Sequence, residues 1–565
     1  MEIINKINSI VWGAPTLILM LSAGIFFSAG TGFFQIRHIG HWLKSTIFSA
    51  SKEKSSDKGS ISQFQAMSSA LAATLGTGNI AGVSSALAMG GAGAVFWMWI
   101  SALLGTMTGF AENVLGIYYR RKDKNGDWHG GAMCYIYNGL SERSFTKKLA
   151  KPLSVIFATL CVLSAFGMGN MAQMNSAAGV LRTNFGIPPL ATGLVLCVPT
   201  AFIIFGGIQR VGSITAKIVP FMSGFYILGA IWIMVENLGQ LPAVFGSVFE
   251  GAFGIDAVSG GISGYIIKQA VSMGFRRGVF SNEAGLGTSV AAHAASDVKE
   301  PCVQGMWSIF EVFFDTIIMC SLTAVILLAS PCTAPTAEEA FRSISLSPQY
   351  FRLTDEQSII TNGSPMLIIN DSGRKTELRT VYGTGFDTGI SENGTTFSNI
   401  MTITGVQRVS DSGEPEFLDR EKTIPLIDNA VISEVTGAEL ATYAFSQTFG
   451  SAAGKLLAIA VLLFAFSTVI GWSCFGTSAA VFIFGEKAQT PFRIAFILLT
   501  IVGAALDFSA VWGLCDIFNG LMAIPNLIAL FLLSPKVFAI TKNYCRRTFR
   551  GEDIPPMLSN RKDNT

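Results

Sequence analysis

The stretch "LAATLGTGNIAGVSSALA", residues 71–88, is apolar enough to lie in a lipid bilayer, yet it contains a helix-weakening polar cluster. Gly76 and Gly78 stand directly before the polar Asn79. Every backbone N–H and C=O in hydrocarbon needs a partner, so unwound backbone survives there where it lines a cavity or binds a ligand. We therefore predict a helix break from Leu75 to Asn79. Close approach of another helix to the glycines is the alternative.

The composition around this stretch is that of a polytopic membrane protein. Half of the 565 residues are hydrophobic and 13% are charged. A membrane-spanning helix needs roughly 20 apolar residues, and the sequence offers eleven candidates, which predicts an all-α membrane fold. The candidate spans are about 14–36, 65–90, 92–118, 152–181, 187–206, 211–236, 261–294, 303–330, 453–484, 490–507 and 509–534.

The distribution of basic residues predicts the orientation. Lys and Arg concentrate in the loops 37–64 and 119–151 and in the tail 535–565, whereas the loop 237–260 has none. Basic loops stay in the cytoplasm, so we expect the amino terminus outside and the carboxyl terminus inside an inner or plasma membrane. A net charge of +2 gives no reason to expect nucleic acid as a partner.

A second segment is also interrupted. "GISGYIIKQAVSMGFRRGVFSNEAGLGTSVAAHAA", residues 261–295, has an apolar start too short to cross, followed by Gly, Ala and Ser. We predict two half-helices joined near Ser272 to Gly278. Paired interrupted spans point to inverted repeats, here 65–236 and then 261–330 with 453–534. Residues 1–36 then form an interfacial helix and an accessory span.

The segment 331–450 differs from the apolar spans on either side of it. It is polar and contains strand-like runs such as "TELRTVYG" and "FSNIMTITGVQRV", separated by turn residues. We predict a small β-rich insertion outside the membrane, with a disordered insertion as the alternative. If this insertion receives a ligand, the protein is a membrane receptor or sensor.

The chemistry of a broken helix suggests what it binds. The first half-helix ends near Leu75 with free carbonyls that suit a small cation, and the second begins near Asn79 with free N–H groups that suit a carboxylate. An amino acid and a hard cation match these two ends. The adjacent hydroxyls of Ser467 and Thr468 could complete the cation site, although bonding back to their own helix is equally expected.

Other polar and aromatic residues in the spans are candidate pocket walls. Asn170 and Gln173 are three residues apart and share a helix face, which suits either pocket lining or a bond between helices. Phe166, Phe275 and Trp472 could wall a pocket or pack in the core.

Charged residues in the spans suggest an inner gate, and they also allow the alternative that transport is coupled to protons. We expect Glu283 to form an inner-gate ion pair with Arg276 and Arg277. Coupling to protons would need a membrane-embedded group that titrates. Four histidines without a nucleophile at motif spacing argue against an enzyme. The carboxylates in the spans are Glu283, Glu311, Asp315 and Asp516.

Several of these stretches together resemble one known family. "GTGNIAGV" (76–83), "GMGNMAQMNS" (167–176), "GFRRGVFSNEAGLGTS" (274–289) and "LFAFSTVIGWS" (463–473) are similar, in order, to motifs of the alanine or glycine:cation symporters, also called sodium:alanine symporters. The resemblance implies an eleven-helix, leucine-transporter-like fold with a five-plus-five inverted repeat. It also implies sodium-driven uptake of alanine or glycine, with the sodium ion co-transported, and we expect a monomer.

The resemblance further implies roles for single residues. The substrate carboxylate would meet the backbone N–H groups of Gly76, Thr77 and Gly78, with Asn79 close by. Gln173, Phe275 and Trp472 would shape the pocket. Sodium would lie between the carbonyls of Ala72 and Leu75 and the hydroxyls of Ser467 and Thr468. Family members join spans eight and nine by a shorter loop, so the resemblance says nothing about residues 331–436.

Overall fold

Helices account for nearly all of the chain outside the insertion. The computed structural model describes residues 2–49, 60–122, 128–253, 260–329, 450–506 and 508–559, together with short strands and three helical residues between 349 and 442. A helix satisfies its own backbone hydrogen bonds, which is what a chain embedded in lipid requires.

The amino-terminal part of the chain contains thirteen helices, a short hairpin and a π-helical turn. The helices are α1 (Glu2–Val11), α2 (Ala14–Gly30), α3 (Phe34–Arg37), α4 (Ile39–Ser45), α5 (Gln63–Thr74), α6 (Ala81–Gly90), α7 (Gly93–Tyr118), α8 (Ala132–Ser141), α9 (Ser144–Phe166), α10 (Ala172–Phe185), α11 (Pro189–Ile204), α12 (Gly207–Glu236) and α13 (Leu241–Phe253). The hairpin pairs β1 (Arg121–Lys122) with β2 (Trp128–His129). The π-helical turn, Gly167–Met171, joins α9 to α10.

The carboxyl-terminal part continues the same architecture. Its α-helices among the described residues are α14 (Gly260–Asn282), α15 (Val290–His293), α16 (Pro301–Val312), α17 (Ser321–Ala329), α18 (Ser451–Phe484), α19 (Gln489–Ala505) and α20 (Phe508–Arg550). A second π-helical segment, Phe313–Cys320, joins α16 to α17.

Strands lie within the predicted insertion. They are β3 (Gln349–Leu353), β4 (Ser358–Asn362), β5 (Leu367–Asp371), β6 (Arg374–Val381), β7 (Ile400–Ile403), β8 (Val406–Val409), β9 (Pro415–Phe417), β10 (Lys422–Pro425) and β11 (Ile432–Glu434). Seven form an antiparallel sheet in the order β11-β3-β4-β5-β6-β8-β9, and β10 pairs with β7. The packing of this insertion lies outside the described residues, so a compact external domain remains a prediction.

Helices lie at all eleven predicted spans. Seven of the described helices are long and apolar enough to cross a membrane by length and composition, and two shorter apolar helices begin at Ala14 and Pro189. The other two predicted spans are the interrupted ones, formed by α5 with α6 and by α14 with α15. The chain is a multi-pass membrane protein, whereas a count of eleven crossings and the inverted repeat remain predictions.

The first break lies where the sequence predicts it. A capping box starts α5, in which the Ser62 hydroxyl accepts from Gln65 N at 3.1 Å and Gln65 Oε1 accepts from Ser62 N at 3.0 Å. The helix ends at Thr74, Gly76 is extended, and a 3-10 turn over Thr77–Asn79 leads into α6. The break therefore separates two half-helices in one span.

The second break is displaced from its predicted position. Helix α14 is continuous through Ser272–Gly278, and the chain turns instead at Glu283, Gly285 and Gly287, whose φ angles are 55°, 92° and 73°. Glycine adopts positive φ without steric cost, whereas a residue with a Cβ does so under strain. The predicted break near Ser272–Gly278 is therefore wrong.

The glycines at the wrongly predicted break have a packing role. A Cβ on Gly274 would lie 2.6 Å from the Cβ of Trp97, and one on Gly278 would lie 3.1 Å from Ser101. Both glycines let α14 approach α7 closely, as small residues do between membrane helices.

A backbone connection, here called the inner strap, ties the two interrupted spans together. Ile61 N donates to Ala295 O at 3.1 Å, and Asp297 N donates to Ile61 O at 2.8 Å, forming a parallel bridge between Ile61 and Ser296. The Arg120 guanidinium also donates to Ser296 O at 2.5 Å. The inner strap lies at the end of α7 that leads into the basic loop, the predicted cytoplasmic side.

Candidate functional site

Side-chain oxygens accept hydrogen bonds from the two backbone N–H groups at the start of the first break. Gly76 N donates to Asn79 Oδ1 at 3.1 Å, and Thr77 N donates to Gln173 Oε1 at 3.0 Å. The Thr77 hydroxyl donates to the same Gln173 oxygen at 2.9 Å. Thr77, Asn79 and Gln173 are buried. Gly76 N also donates to Thr74 O at 2.7 Å. A ligand carboxylate could replace the two side-chain amide oxygens as acceptor from these backbone N–H groups.

The π-helical turn before α10 sets the position of Gln173. Gln173 Nε2 donates to the carbonyl of Met168, within that turn, at 3.1 Å. On the other side of the turn, a Cβ on Gly169 would lie 2.5 Å from the Cβ of Trp472, so Trp472 packs directly on the backbone there. Gln173 and Trp472 thus meet the same turn, and their role in shaping a substrate pocket remains a prediction.

The predicted cation ligands are only partly assembled. The Thr468 hydroxyl donates to Ala72 O at 3.0 Å and bridges α18 to the end of α5. Leu75 follows as the residue at which the backbone leaves the helix. The Ser467 hydroxyl instead donates to Phe464 O at 2.9 Å in its own helix. Thr468 therefore faces the break, and Ser467 makes the alternative bond that the sequence also allowed.

Two predicted pocket residues face another helix. Phe166 stacks on Phe492 with ring centroids 5.0 Å apart, and Asn170 Nδ2 donates to Phe496 O at 2.5 Å. Both contacts reach α19. The π-helical turn adds a residue and rotates Asn170 off the helix face that carries Gln173, so the predicted shared face is wrong. A pocket-lining role for Phe166 and Asn170 remains a prediction.

The phenylalanine that packs beside the first break is Phe280 and not the predicted Phe275. Phe275 lies against Trp97, with ring centroids 6.1 Å apart, and lines a cavity together with Gly285 of the second break. The buried Phe280 lies beside the first break, since a Cβ on Gly78 would lie 3.5 Å from Phe280 Cδ1. Sequence reasoning missed Phe280 because it placed the second break ahead of this residue.

The predicted inner-gate ion pair is also wrong. Arg276 forms an ion pair with Asp516, and Arg277 Nη1 lies 3.7 Å from the same carboxylate. Glu283 Oε1 instead accepts a hydrogen bond from Trp472 Nε1 at 3.0 Å. The arginines precede the second break by two turns of helix, so their partner comes from α20 on another part of the chain.

The Arg276–Asp516 pair lies on the opposite side of the break from the inner strap. Just before Arg276, Gly274 packs against Ala94 near the start of α7, whereas the strap is at the other end of that helix. Trp12, which follows α1, donates its indole N–H to Asp516 O at 2.8 Å. Under the predicted orientation, these arginines belong to the outer side.

A carboxylate joins the first break to the second interrupted span. Asp315 Oδ1 accepts from Asn79 Nδ2 at 2.7 Å, and its Oδ2 accepts from the hydroxyls of Ser281 at 2.7 Å and Thr316 at 2.9 Å. All four residues are buried. The sequence marked Asp315 only as one of several carboxylates in the spans, because nothing in the local sequence reveals its contact with Asn79.

Broken helices around a buried polar site in a multi-pass chain are typical of secondary transporters. The model of the sodium:alanine symporter family matches residues 1–352 and 423–557. The chain belongs to this family of symporters, and it is therefore a transporter and not an enzyme. Of the residues outside the match, 353–422 fall within the predicted insertion and 558–565 follow the matched region.

Several known proteins are similar to this chain over nearly its whole length. The sodium/alanine symporter AgcS of Methanococcus maripaludis is 36% identical over 543 residues, covering 96% of this chain and 97% of that protein. The probable sodium/glutamine symporter GlnT of Bacillus subtilis is 30% identical over 553 residues, covering 98% and 92%. A solved Na+-coupled sialic acid symporter is 11% identical with a TM-score of 0.45, covering 98% of this chain and 93% of that one.

Proposed function

We propose that this protein takes up a small neutral amino acid, alanine or glycine, together with sodium by alternating access. The observation that carries the proposal is the pair of backbone amides at Gly76 and Thr77, each held by a side-chain amide oxygen. Binding of a substrate carboxylate exchanges those acceptors for carboxylate oxygens and keeps every buried N–H satisfied.

Sodium binding is proposed at the other side of the same break. Ala72 lies in the last turn of α5 and its carbonyl accepts from the Thr468 hydroxyl, while Leu75 is the C-cap residue of the same helix. Ser467 completes this proposed site if its hydroxyl turns away from its own helix. The negative end of the helix dipole favours a cation there.

The close packing around the break favours a small substrate. A Cβ on Gly76 would lie 2.6 Å from Thr468 Oγ1, which leaves little spare volume on that side. Trp472 and Phe280 are bulky and fully buried close to the break. A relative at 36% identity is named for alanine and one at 30% for glutamine, so substrate size is the property to test.

Uptake into proteoliposomes tests the proposal. Radiolabelled alanine and glycine are offered under an inward sodium gradient, an equal potassium gradient and a proton gradient, with unlabelled glutamine and leucine as competitors. We expect accumulation with sodium alone and competition by small amino acids alone. Accumulation with protons alone, or effective competition by glutamine, would contradict the proposal. Absence of accumulation under every gradient would favour a receptor role for the insertion.

A further inference from the structure

We propose that a cavity on the predicted cytoplasmic side binds an amino acid with an apolar side chain, and that the bound amino acid slows transport. The cavity, here called the hairpin cavity, lies between the β1–β2 hairpin with α8 and the carboxyl-terminal end of α18. The effect on transport rests on the proposed function, whereas the binding step does not. Six of the residues that line the hairpin cavity are Lys122, His129, Met133, Val481, Phe482 and Glu486.

The hairpin cavity is separate from the site at the first break. Its volume is about 210 Å³, which suits one small metabolite, since pockets for larger ligands range from about 300 to 1,000 Å³. Ser478 lines the cavity and lies beyond Trp472 on α18, about 9 Å further along the helix axis. An amino acid in the hairpin cavity would therefore not occupy the first break.

Groups of opposite charge line the hairpin cavity. The Lys122 ammonium and the His129 ring come from the hairpin, and the Glu486 carboxylate comes from the turn after α18. His129 Nε2 lies 3.9 Å from Glu486 Oε1, and the two side chains are 35% and 61% exposed. An ion pair this long and this exposed contributes little to stability, so a ligand can replace it. A zwitterion satisfies both groups, with its carboxylate toward Lys122 and its ammonium toward Glu486.

The remaining wall of the hairpin cavity is mostly apolar. Met133 is buried, and Val481 and Phe482 are half-buried in the last turn of α18. The ring centroids of Phe482 and Tyr137 are 6.3 Å apart, so α18 and α8 share this apolar wall. Apolar surface beside the charged groups favours an amino acid with an aliphatic or thioether side chain, such as leucine or methionine, over alanine or glycine.

The hairpin is attached to the inner strap. Arg120, directly before β1, donates from its guanidinium to Ala294 O at 2.9 Å. The same guanidinium lies over the Trp128 ring of β2, 3.8 Å from the ring centroid. An amino acid that contacts Lys122 and Glu486 would therefore connect the inner strap, through the hairpin, to α18.

A ligand that connects these two parts would restrain transport. Alternating access moves one group of helices relative to another around the site, and α18 contacts the first break through Thr468. A ligand that contacts both the hairpin and α18 binds best to the conformation in which the two lie together, and it shifts the population toward that conformation. Apolar amino acids in the cytoplasm would thus slow further uptake.

Calorimetric titration of the purified protein in detergent tests the binding step, with leucine as the probe. Sodium and saturating alanine are present, so that alanine occupies the proposed substrate site. We expect leucine to bind the wild type, and to bind Lys122→Gln and Glu486→Gln at least about tenfold more weakly. Lys147→Gln is the matched control, because it neutralises an exposed lysine of the same loop, and it should bind leucine as the wild type does.

Two leucine analogues test which charges of the ligand are recognised. Isocaproate lacks the ammonium group and isoamylamine lacks the carboxylate, and each should bind at least about tenfold more weakly than leucine. Equal binding of isocaproate and leucine would show that the hairpin cavity takes a monocarboxylate, which overturns the amino-acid site. Leucine binding that is unchanged in both Lys122→Gln and Glu486→Gln also overturns it.

Alanine uptake into right-side-out membrane vesicles tests the effect on transport. Leucine loaded inside the vesicles should lower the initial rate of sodium-driven uptake about threefold or more. Glu486→Gln, or Lys122→Gln if the first variant folds poorly, should keep wild-type uptake and lose this sensitivity. Leucine binding without an effect on uptake overturns the regulation. Absence of leucine binding overturns the site and leaves sodium-driven uptake intact, whereas alanine uptake that ignores sodium overturns the proposed function and leaves the binding result unchanged.

Discussion

Trp472 donates its indole N–H to Glu283 at 3.0 Å and thereby joins α18 to the residue at which the second interrupted span turns. Glu283 has a φ of 55°, an uncommon conformation for a residue with a side chain. Trp472 also packs against Gly169 in the π-helical turn. One side chain therefore fixes the second break relative to two further spans.

Trp472→Phe should reduce transport without removing the protein from the membrane. The ring volume largely remains, but the buried Glu283 carboxylate loses a donor, which costs about 1–3 kcal/mol and lowers uptake roughly tenfold. Initial uptake per folded protein measures the effect. Trp97→Phe is the matched control, since Trp97 donates to Ala252 O at 3.3 Å in a partly exposed position. Equal losses in both variants would contradict a special role for Trp472.

Gly76→Ala should abolish substrate binding. The added Cβ would lie 2.6 Å from Thr468 Oγ1 and 3.0 Å from Gln173 Oε1, so the break cannot keep its present geometry. Gly82→Ala is the control from the same span, because a Cβ there meets nothing within 4 Å. Alanine binding by calorimetry distinguishes the two variants. Normal binding by Gly76→Ala would remove the proposed carboxylate site.

Thr468→Val should raise the sodium concentration required for half-maximal uptake far more than Ser467→Ala does. Thr468 already contacts Ala72 O, whereas Ser467 bonds to its own helix. Thr468→Ser keeps the hydroxyl and should restore the wild-type sodium requirement. Sodium titrations at fixed alanine provide the measurement. A larger effect from Ser467→Ala would mean that Ser467 turns toward the ion and is the principal hydroxyl ligand.

Asp516→Asn should destabilise the protein by about 3–5 kcal/mol, since it leaves two largely buried arginines without their shared carboxylate. The decrease in melting temperature, measured by thermal unfolding in detergent, reports this loss of stability. The control is Glu142→Gln, which breaks a more exposed ion pair with Lys536 and should cost less than about 1 kcal/mol. Similar shifts in the two variants would show that the Asp516 cluster is not a buried electrostatic contact.

The sequence was sufficient for those parts of the site that depend on local chemistry. Glycines beside a polar residue in an apolar span predicted the first break, because lipid tolerates unwound backbone only at a site. The motif resemblance then identified Gln173, Thr468 and Trp472, which all lie at or near that break.

The errors have three physical causes. A glycine that permits positive φ and one that permits close packing look alike in sequence, so Gly274 and Gly278 suggested a break that lies at Glu283. Helical periodicity also assumes 3.6 residues per turn, and the π-helical turn invalidates it for Asn170. Partners distant in sequence, such as Asp516 for Arg276, leave no local pattern.

The inner strap is built from main-chain atoms, and this limits how mutation can affect it. Ile61 both donates to Ala295 O and accepts from Asp297 N, and these bonds do not depend on which side chain position 61 carries. Proline is the exception, because it lacks the N–H. Most substitutions at this position would therefore leave the inner strap intact, so the connection between the two interrupted spans tolerates sequence change at residue 61.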